Sequence, residues 1–318
     1  MTWLIERGVA ETRAIQVEGE QVRAARVQWP GDIALGVAPA RLVQRRAGAK
    51  RGVARTADGT EINVSGLARE ASEGREITVR ITRALIAESG RLKRAQGIQV
   101  RDGASDAASP SVLHDATTVH RFPAGAWEDV WADAWTGEVA FAGGSLIVSP
   151  TPAMCVIDID GDLSPPELAL AAVPAIARTL RRFDLAGSIG IDFPTLSEKQ
   201  HRRAVDDALG QALDDWPHER TAMNGFGFVQ LVARLEGPSL LHRFHFHRVG
   251  AAARMLLRRG ELAEGAGPRL LLRAHPAVAE RLAPEWLAEL ARRSGRKVEV
   301  ERDATLALDA GHAQILAS

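Results

Sequence analysis

Two apolar runs that each carry aspartate, CVIDID at 155–160 and SIGIDF at 188–193, constrain this chain more than any other feature. Between them Leu168, Ala172, Val173, Ile176, Ala177 and Leu180 recur at helical spacing, over a segment just long enough to cross a sheet. A strand, a helix and a second strand in this order predict a right-handed parallel crossover. Ser164-Pro165-Pro166-Glu167 has the pattern of a capping box with proline in the first turn. Pro174 is expected to kink the helix, and Gly187 to end the connection. Asp158 and Asp160 stand two apart and so project from one face of a strand, and Asp192 lies near the end of the second run. Carboxylates inside apolar runs are costly unless a cation or a set of donors compensates them. Sites in such sheets form at the carboxyl ends of the strands. Convergence of the three carboxylates there, on a magnesium ion, is the expectation. The plainer reading is a polar strand end that caps a turn.

The stretch GGSLIVSPTPAMCVIDIDG (143–161), the helix ending RTLRRFDLAG, then SIGIDF and KQHRRAV resemble the catalytic core of the ribonuclease E/G family. LIERGVAETRA near the amino terminus is similar to that family's opening strands. EGREITVRITRA at 73–84 resembles the closing strands of its RNA-binding OB barrel. LLLRAHPAVAERL onward resembles the small carboxyl-terminal domain of the ribonuclease G branch. The resemblance implies a multidomain chain of α+β and α/β parts. Its expected segments are N-terminal strands packing on the core (1–34), an OB-type barrel (35–101) and a linker (102–120). A DNase I-like α/β core (121–248) and a C-terminal helix with a small βαβ unit (249–318) follow. It also implies that Asp158 and Asp192 hold Mg²⁺. Asp160 stands where the family has asparagine, and could be a further ligand or could orient the attacking water.

Other positions depart from the family. Its zinc-linking cysteines are missing, since Cys155 is the only cysteine, so no zinc-linked dimer is expected. The family reads a 5′ monophosphate with an Arg-Thr-Ala loop after the barrel. Here Arg55-Thr56-Ala57 precedes the closing barrel strands and is expected to be a barrel turn. Only about 40 residues separate the barrel from Gly143, too few for that sensor. Gln230-Leu231-Val232-Ala233 replaces a Glu-Met-Thr-Arg-like run, which removes an expected arginine. Asn224, Gly225 and Gly227 either let a backbone approach RNA or mark a bulge.

Net charge is zero, so any nucleic-acid surface must be local. Arg41, Arg45, Arg46, Lys50, Arg51 and Arg55 form a basic run free of acidic residues, and Arg91, Lys93 and Arg94 form a second. On a barrel these would line a groove for the phosphates of single-stranded RNA. No Phe or Tyr precedes Phe122, which leaves the barrel little on which bases could stack. Trp127, Trp131 and Trp135 make a helical stripe that reads as core. If HRFHFH (242–247) is extended, His245 and His247 share a face, but no further zinc ligands stand nearby. Cys155 reads as an inert buried thiol, and His201 as an RNA contact or a helix-surface residue.

MTWLIERGVAETR meets a charge at Glu6 and does not read as a secretory signal, and no run is long enough for a membrane helix. The expectation is a soluble cytoplasmic protein that cleaves single-stranded RNA with Mg²⁺. The alternative is an RNA-binding protein of the same fold that has lost cleavage. A protein scaffold with no RNA role fits the zero charge but leaves the aspartates unexplained.

Overall fold

The structure, a computed structural model, describes residues 2–88, 90–101, 103 and 116–317. It divides into two compact units, Met1–Pro30 with Asp115–Trp135 and Arg243–Ser318, and Gly31–His114 with Thr136–His242. These divisions differ from the expected ones at 121 and 248, because the tryptophan helix and the chain after 242 group with the N-terminal strands.

In the first unit the strands Thr2–Arg7, Thr12–Glu18 and Gln21–Gln28 form an antiparallel meander that buries Ile5, Ile15 and Ala25. Thr117–Val119 adds a fourth strand parallel to the first, inside the segment expected to be linker. Residues 102 and 104–115 of that linker lie outside the described residues. Trp127, Trp131 and Trp135 are buried as expected, the latter two stacked with centroids 4.8 Å apart. The HRFHFH run is not extended: its first five residues lie in a helix, Leu240–Phe246, and His247 stands at the N-cap of the next, Arg248–Glu261. His245 and His247 therefore lack the shared strand face that a ligand pair would need. The carboxyl-terminal crossover is present, with Arg269–Ala274 parallel to Lys297–Arg302 and antiparallel to His312–Leu316. Its single expected helix is two, Pro276–Arg281 and Pro284–Ser294, because Pro284 has no N–H with which to continue the ladder.

The second unit begins with a closed barrel, in the order Ala95–Gln99, Glu61–Ser65, Arg51–Arg55, Gly36–Arg45, Glu76–Arg83. Every pair is antiparallel except Ala95–Gln99 with Glu61–Ser65. Inward-facing Leu42, Ala54, Ile62, Val64, Val79 and Ile81 fill it. The barrel closes tightly at Gly97, where a Cβ would come within 2.4 Å of the Val79 side chain. Arg55-Thr56-Ala57 is a barrel turn, held by the Thr56 N–H donating to the Thr60 carbonyl at 3.0 Å.

The rest of the unit is a six-stranded sheet in the order Glu138–Phe141, Gly144–Pro150, Cys155–Gly161, Gly187–Asp192, Phe228–Ala233, Glu219–Arg220. The two aspartate strands are its parallel pair, joined by the helix Pro165–Arg182. That helix continues through Pro174 without a break. Ser164 sits at its N-cap, but the hydroxyl bonds the Glu167 carboxylate instead of a backbone N–H, so the capping box is not formed. Helix Lys199–Ala212 packs against it. Strand alternation then splits the sheet into two faces. Leu146, Val148, Ile157, Ile159, Ile189, Ile191, Val229 and Leu231 point to the helical side and are buried. The opposite face is open. Among the described residues no helix is long and apolar enough to cross a membrane.

Candidate functional site

The open face of this sheet carries the aspartates. Register places Asp158 opposite Asp192 on the neighbouring parallel strand, and strands in a sheet are about 4.8 Å apart, so the two side chains leave the face side by side. The same row continues outward to Ile147 beyond Asp158 and to Phe228 beyond Asp192. Two acids thus sit between two apolar side chains. Asp160 stands opposite Ser145 in another row, about 6.6–7 Å further along its strand.

The aspartates differ in two ways from what the sequence predicts. The carboxylates are not desolvated: Asp158, Asp160 and Asp192 are all exposed, because odd positions 157, 159 and 191 take the helical side. Nor do the three converge, since among the described residues no three His, Cys, Asp or Glu side chains group as a metal site. What the fold assembles is a pair.

That pair has no cationic partner among the described residues. One Asp158 oxygen accepts the Ile159 N–H at 3.0 Å, and no arginine, lysine or histidine pairs with Asp158, Asp160 or Asp192 in the described structure. Like charges facing each other across a sheet destabilise it. Two hard oxygen donors on an open face suit a magnesium ion, which takes one or two carboxylates and keeps several waters. Cys155 lies behind this site, buried, and burial pushes its thiol up to about 12, so it is no nucleophile.

The neighbouring loop was only partly legible. Asn224 organises it: its side-chain oxygen accepts the Phe226 N–H at 2.9 Å and the Phe228 N–H at 3.1 Å. Asp206 on the helix behind receives the Met223 N–H on both oxygens at 3.1 Å and pairs with Arg220 at 3.0 Å. Gly227, at φ +93°, approaches the backbone so closely that a Cβ would lie 2.4 Å from the Phe193 carbonyl oxygen. The glycine therefore serves a close approach of the loop to the Asp192 strand. Gln230 is tied to Ser188, its side-chain N–H donating to the hydroxyl at 3.2 Å. His201 lies in the first turn of Lys199–Ala212, half-buried.

The barrel's cations divide. Arg41, Arg46, Lys50 and Arg51 carry no ion pair in the described structure. Arg51, Asn63, Ser65, Thr82, Gln96 and Ile98 line a cleft of about 550 Å³. The second expected cluster is neutralised: Arg91 and Lys93 pair with Glu88, and Arg94 with Glu61 at 2.9 Å. Arg45 is also engaged, donating to the Ala49 and Ala71 carbonyls. Their partners lie on turns and adjoining strands, beyond what local charge counting registers.

Residues 131–234, which include every strand of the sheet, match the ribonuclease E/G family. Ribonuclease G of Escherichia coli (strain K12) is 31% identical over 188 residues, covering 50% of this chain and 38% of that protein. Ribonuclease E of the same organism is 32% identical over 115 residues, covering 33% of this chain and 11% of its own length. Ribonuclease E of Haemophilus influenzae is 30% identical, with 33% and 12% covered. The chain thus spans well under half the length of the relatives it matches.

Proposed function

On the premise that the chain belongs, through residues 131–234, to the ribonuclease E/G family, we propose that it is a magnesium-dependent endoribonuclease acting on single-stranded RNA. The observation that carries this reading is the register pairing of Asp158 with Asp192 on an open face, without any protein cation. Asp158 and Asp192 would hold the ion. When bound there, it supplies polarisation of the scissile phosphate and a lowered pKa for the attacking water. Asp158 is oriented by the Ile159 N–H, which occupies one oxygen and leaves the other for a ligand. Asp160, in another row of the same face, would accept a hydrogen bond from the water and take its proton. The closed five-stranded barrel would act as an OB-type RNA holder, with Arg41, Arg46, Lys50 and Arg51 meeting phosphates. The proposal places the protein in the cytoplasm, where its RNA would be.

One observation favours the second reading, an RNA-binding protein without cleavage. Gln230 and Ala233 replace the two charged positions of the family's Glu-Met-Thr-Arg-like run, and the Gln230 amide is turned to Ser188. Incubating the full chain with end-labelled single-stranded RNA separates the two. Internal cuts with magnesium that vanish with a chelator support the nuclease. Chelator-insensitive binding with no cuts at any magnesium concentration supports the second reading.

A further inference from the structure

Phe226 is the most exposed large apolar side chain among the described residues, at 82% of its full surface. Its loop is not loose. Asn224 holds the Phe226 and Phe228 N–H groups, Asp206 holds Met223, and the Phe193 N–H donates to the Gly227 carbonyl at 3.2 Å. Asp192 and Phe226 each lie one residue from that last bond. The ring is therefore held in solvent at the edge of the acid pair, and leaving a Phe exposed forgoes the burial that normally stabilises it. A Cβ added at Gly225 would meet nothing within 4 Å, so the space at the residue before Phe226 is open.

A second aromatic continues the feature along the face. Phe228 is in register with Asp192 and only half-buried. A Cβ on Gly190 would come within 2.4 Å of the Phe228 ring and 3.0 Å of the Met154 sulfur, so ring and thioether meet over that glycine. Met154 and Phe228 form an apolar floor on one side of the acid pair, and Phe226 stands two residues before Phe228 in the chain. The barrel, by contrast, has no aromatic residue within 36–101. Aromatic side chains are the common platform for base stacking, and the sheet that follows the barrel offers them beside the acids.

We propose that Phe226 is a stacking residue for the base of a nucleotide flanking the scissile phosphate, which makes this loop a base-binding subsite of the catalytic face. The proposal rests on the RNA reading above. It divides the work between a barrel that grips phosphates and a loop that seats a base. A base on Phe226 would fix the strand's register over Asp158 and Asp192, so the ring is a positioning residue. Stacking is tolerant of base identity, because every base has a flat face.

The test uses the full chain, the Phe226→Ala and Phe226→Trp variants, and labelled single-stranded RNA. Affinity is read by fluorescence anisotropy in chelator, so that binding is measured apart from cleavage. A second RNA set carries an abasic nucleotide at successive positions around the cut. The expected result is an affinity about tenfold weaker for Phe226→Ala and recovered in Phe226→Trp, with an unchanged melting temperature. One abasic position should weaken the parent about as much, and add nothing in Phe226→Ala. Full affinity in Phe226→Ala, with a parent that binds and cuts RNA, overturns the stacking role and leaves the nuclease reading standing. An abasic penalty that persists in Phe226→Ala also overturns it. A parent that neither binds nor cuts RNA removes the nuclease reading and this proposal together. A parent dimer that dissociates in Phe226→Ala, with RNA affinity unchanged, makes the ring a contact between copies instead.

Discussion

Glu6 lies on a strand of the first unit's sheet as Asp158 and Asp192 lie on strands of the second's, yet the two sites treat negative charge in opposite ways. Glu6 is buried and accepts from Arg13, from Arg258 at 2.8 Å and from the Phe122 N–H at 3.2 Å. Glu11 beside it accepts from Arg13 at 2.6 Å and from the Trp29 indole at 2.8 Å. Burial opposes the charge of Arg258, but the hydrogen bonds and charges of Glu6 and Glu128 outweigh it, and its pKa rises. Glu6, Glu11, Arg13 and Arg258 each have an opposite charge within hydrogen-bond reach. Asp158 and Asp192 are exposed, face each other in register, and pair with no cation in the described structure. The first arrangement holds a fold together, whereas the second leaves two facing acids in solvent without a protein cation.

The comparison breaks most decisively at the acid pair. Asp158→Asn or Asp192→Asn is expected to lower RNA cleavage by about a thousandfold or more, roughly 4 kcal/mol of barrier. Removing one of two facing like charges should leave the melting temperature equal or higher. A variant that melts lower and cuts normally would move Asp158 or Asp192 into the structural class.

Glu6→Ala should do the reverse. Arg13 would keep only Glu11 and Arg258 only Glu128, and breaking such a buried pair costs about 3–5 kcal/mol. Urea unfolding should show that loss. Cleavage by the fraction still folded should be near that of the parent.

A smaller contrast lies within the barrel. Lys50→Ala with Arg51→Ala should weaken RNA binding and flatten its salt dependence by about 0.7 in slope per lost phosphate contact. Arg91→Ala with Arg94→Ala should change the slope less, because those guanidiniums already face Glu88 and Glu61. Equal slopes for the two double variants would erase the distinction.

The smallest effect concerns a surface acid. Hydrogen bonds from Arg292 and then Arg293 hold Glu289 down to about 2. A lowered folded-state pKa means that the contribution is present above the ordinary glutamate range. It is lost as pH falls from about 4.5 toward about 2. Titration followed by carboxyl NMR should place the midpoint low in the parent, and near the ordinary value in an Arg292→Ala, Arg293→Ala double variant.

The sequence carried the elements that local pattern determines: the crossover through 155–193, the tryptophan stripe and the barrel's short strands. Period-two alternation also placed Asp158 and Asp160 on one face. It could not say which face the helices would cover, and so the aspartates read as buried when they are exposed. Whether Asp160 joins Asp158 and Asp192 depends on register between strands, which the turns and distant pairings set. Pairing of Arg91, Lys93 and Arg94 with Glu88 and Glu61 depends on the barrel's closure in the same way. HRFHFH was ambiguous because a six-residue run fits either period, and its packing in a helix decided it. In TAMNGFGFVQL the glycines drew notice, while the exposure of Phe226 needed the folded loop.

Calorimetric titration of magnesium into the full chain, beside an Asp158→Asn, Asp192→Asn double variant, tests the central claim most directly. The account predicts a site on the parent that the double variant lacks, with a parent melting temperature that rises with magnesium while the variant's stays still. Identical isotherms for the two proteins, or a parent that takes up no magnesium with or without RNA, would contradict it.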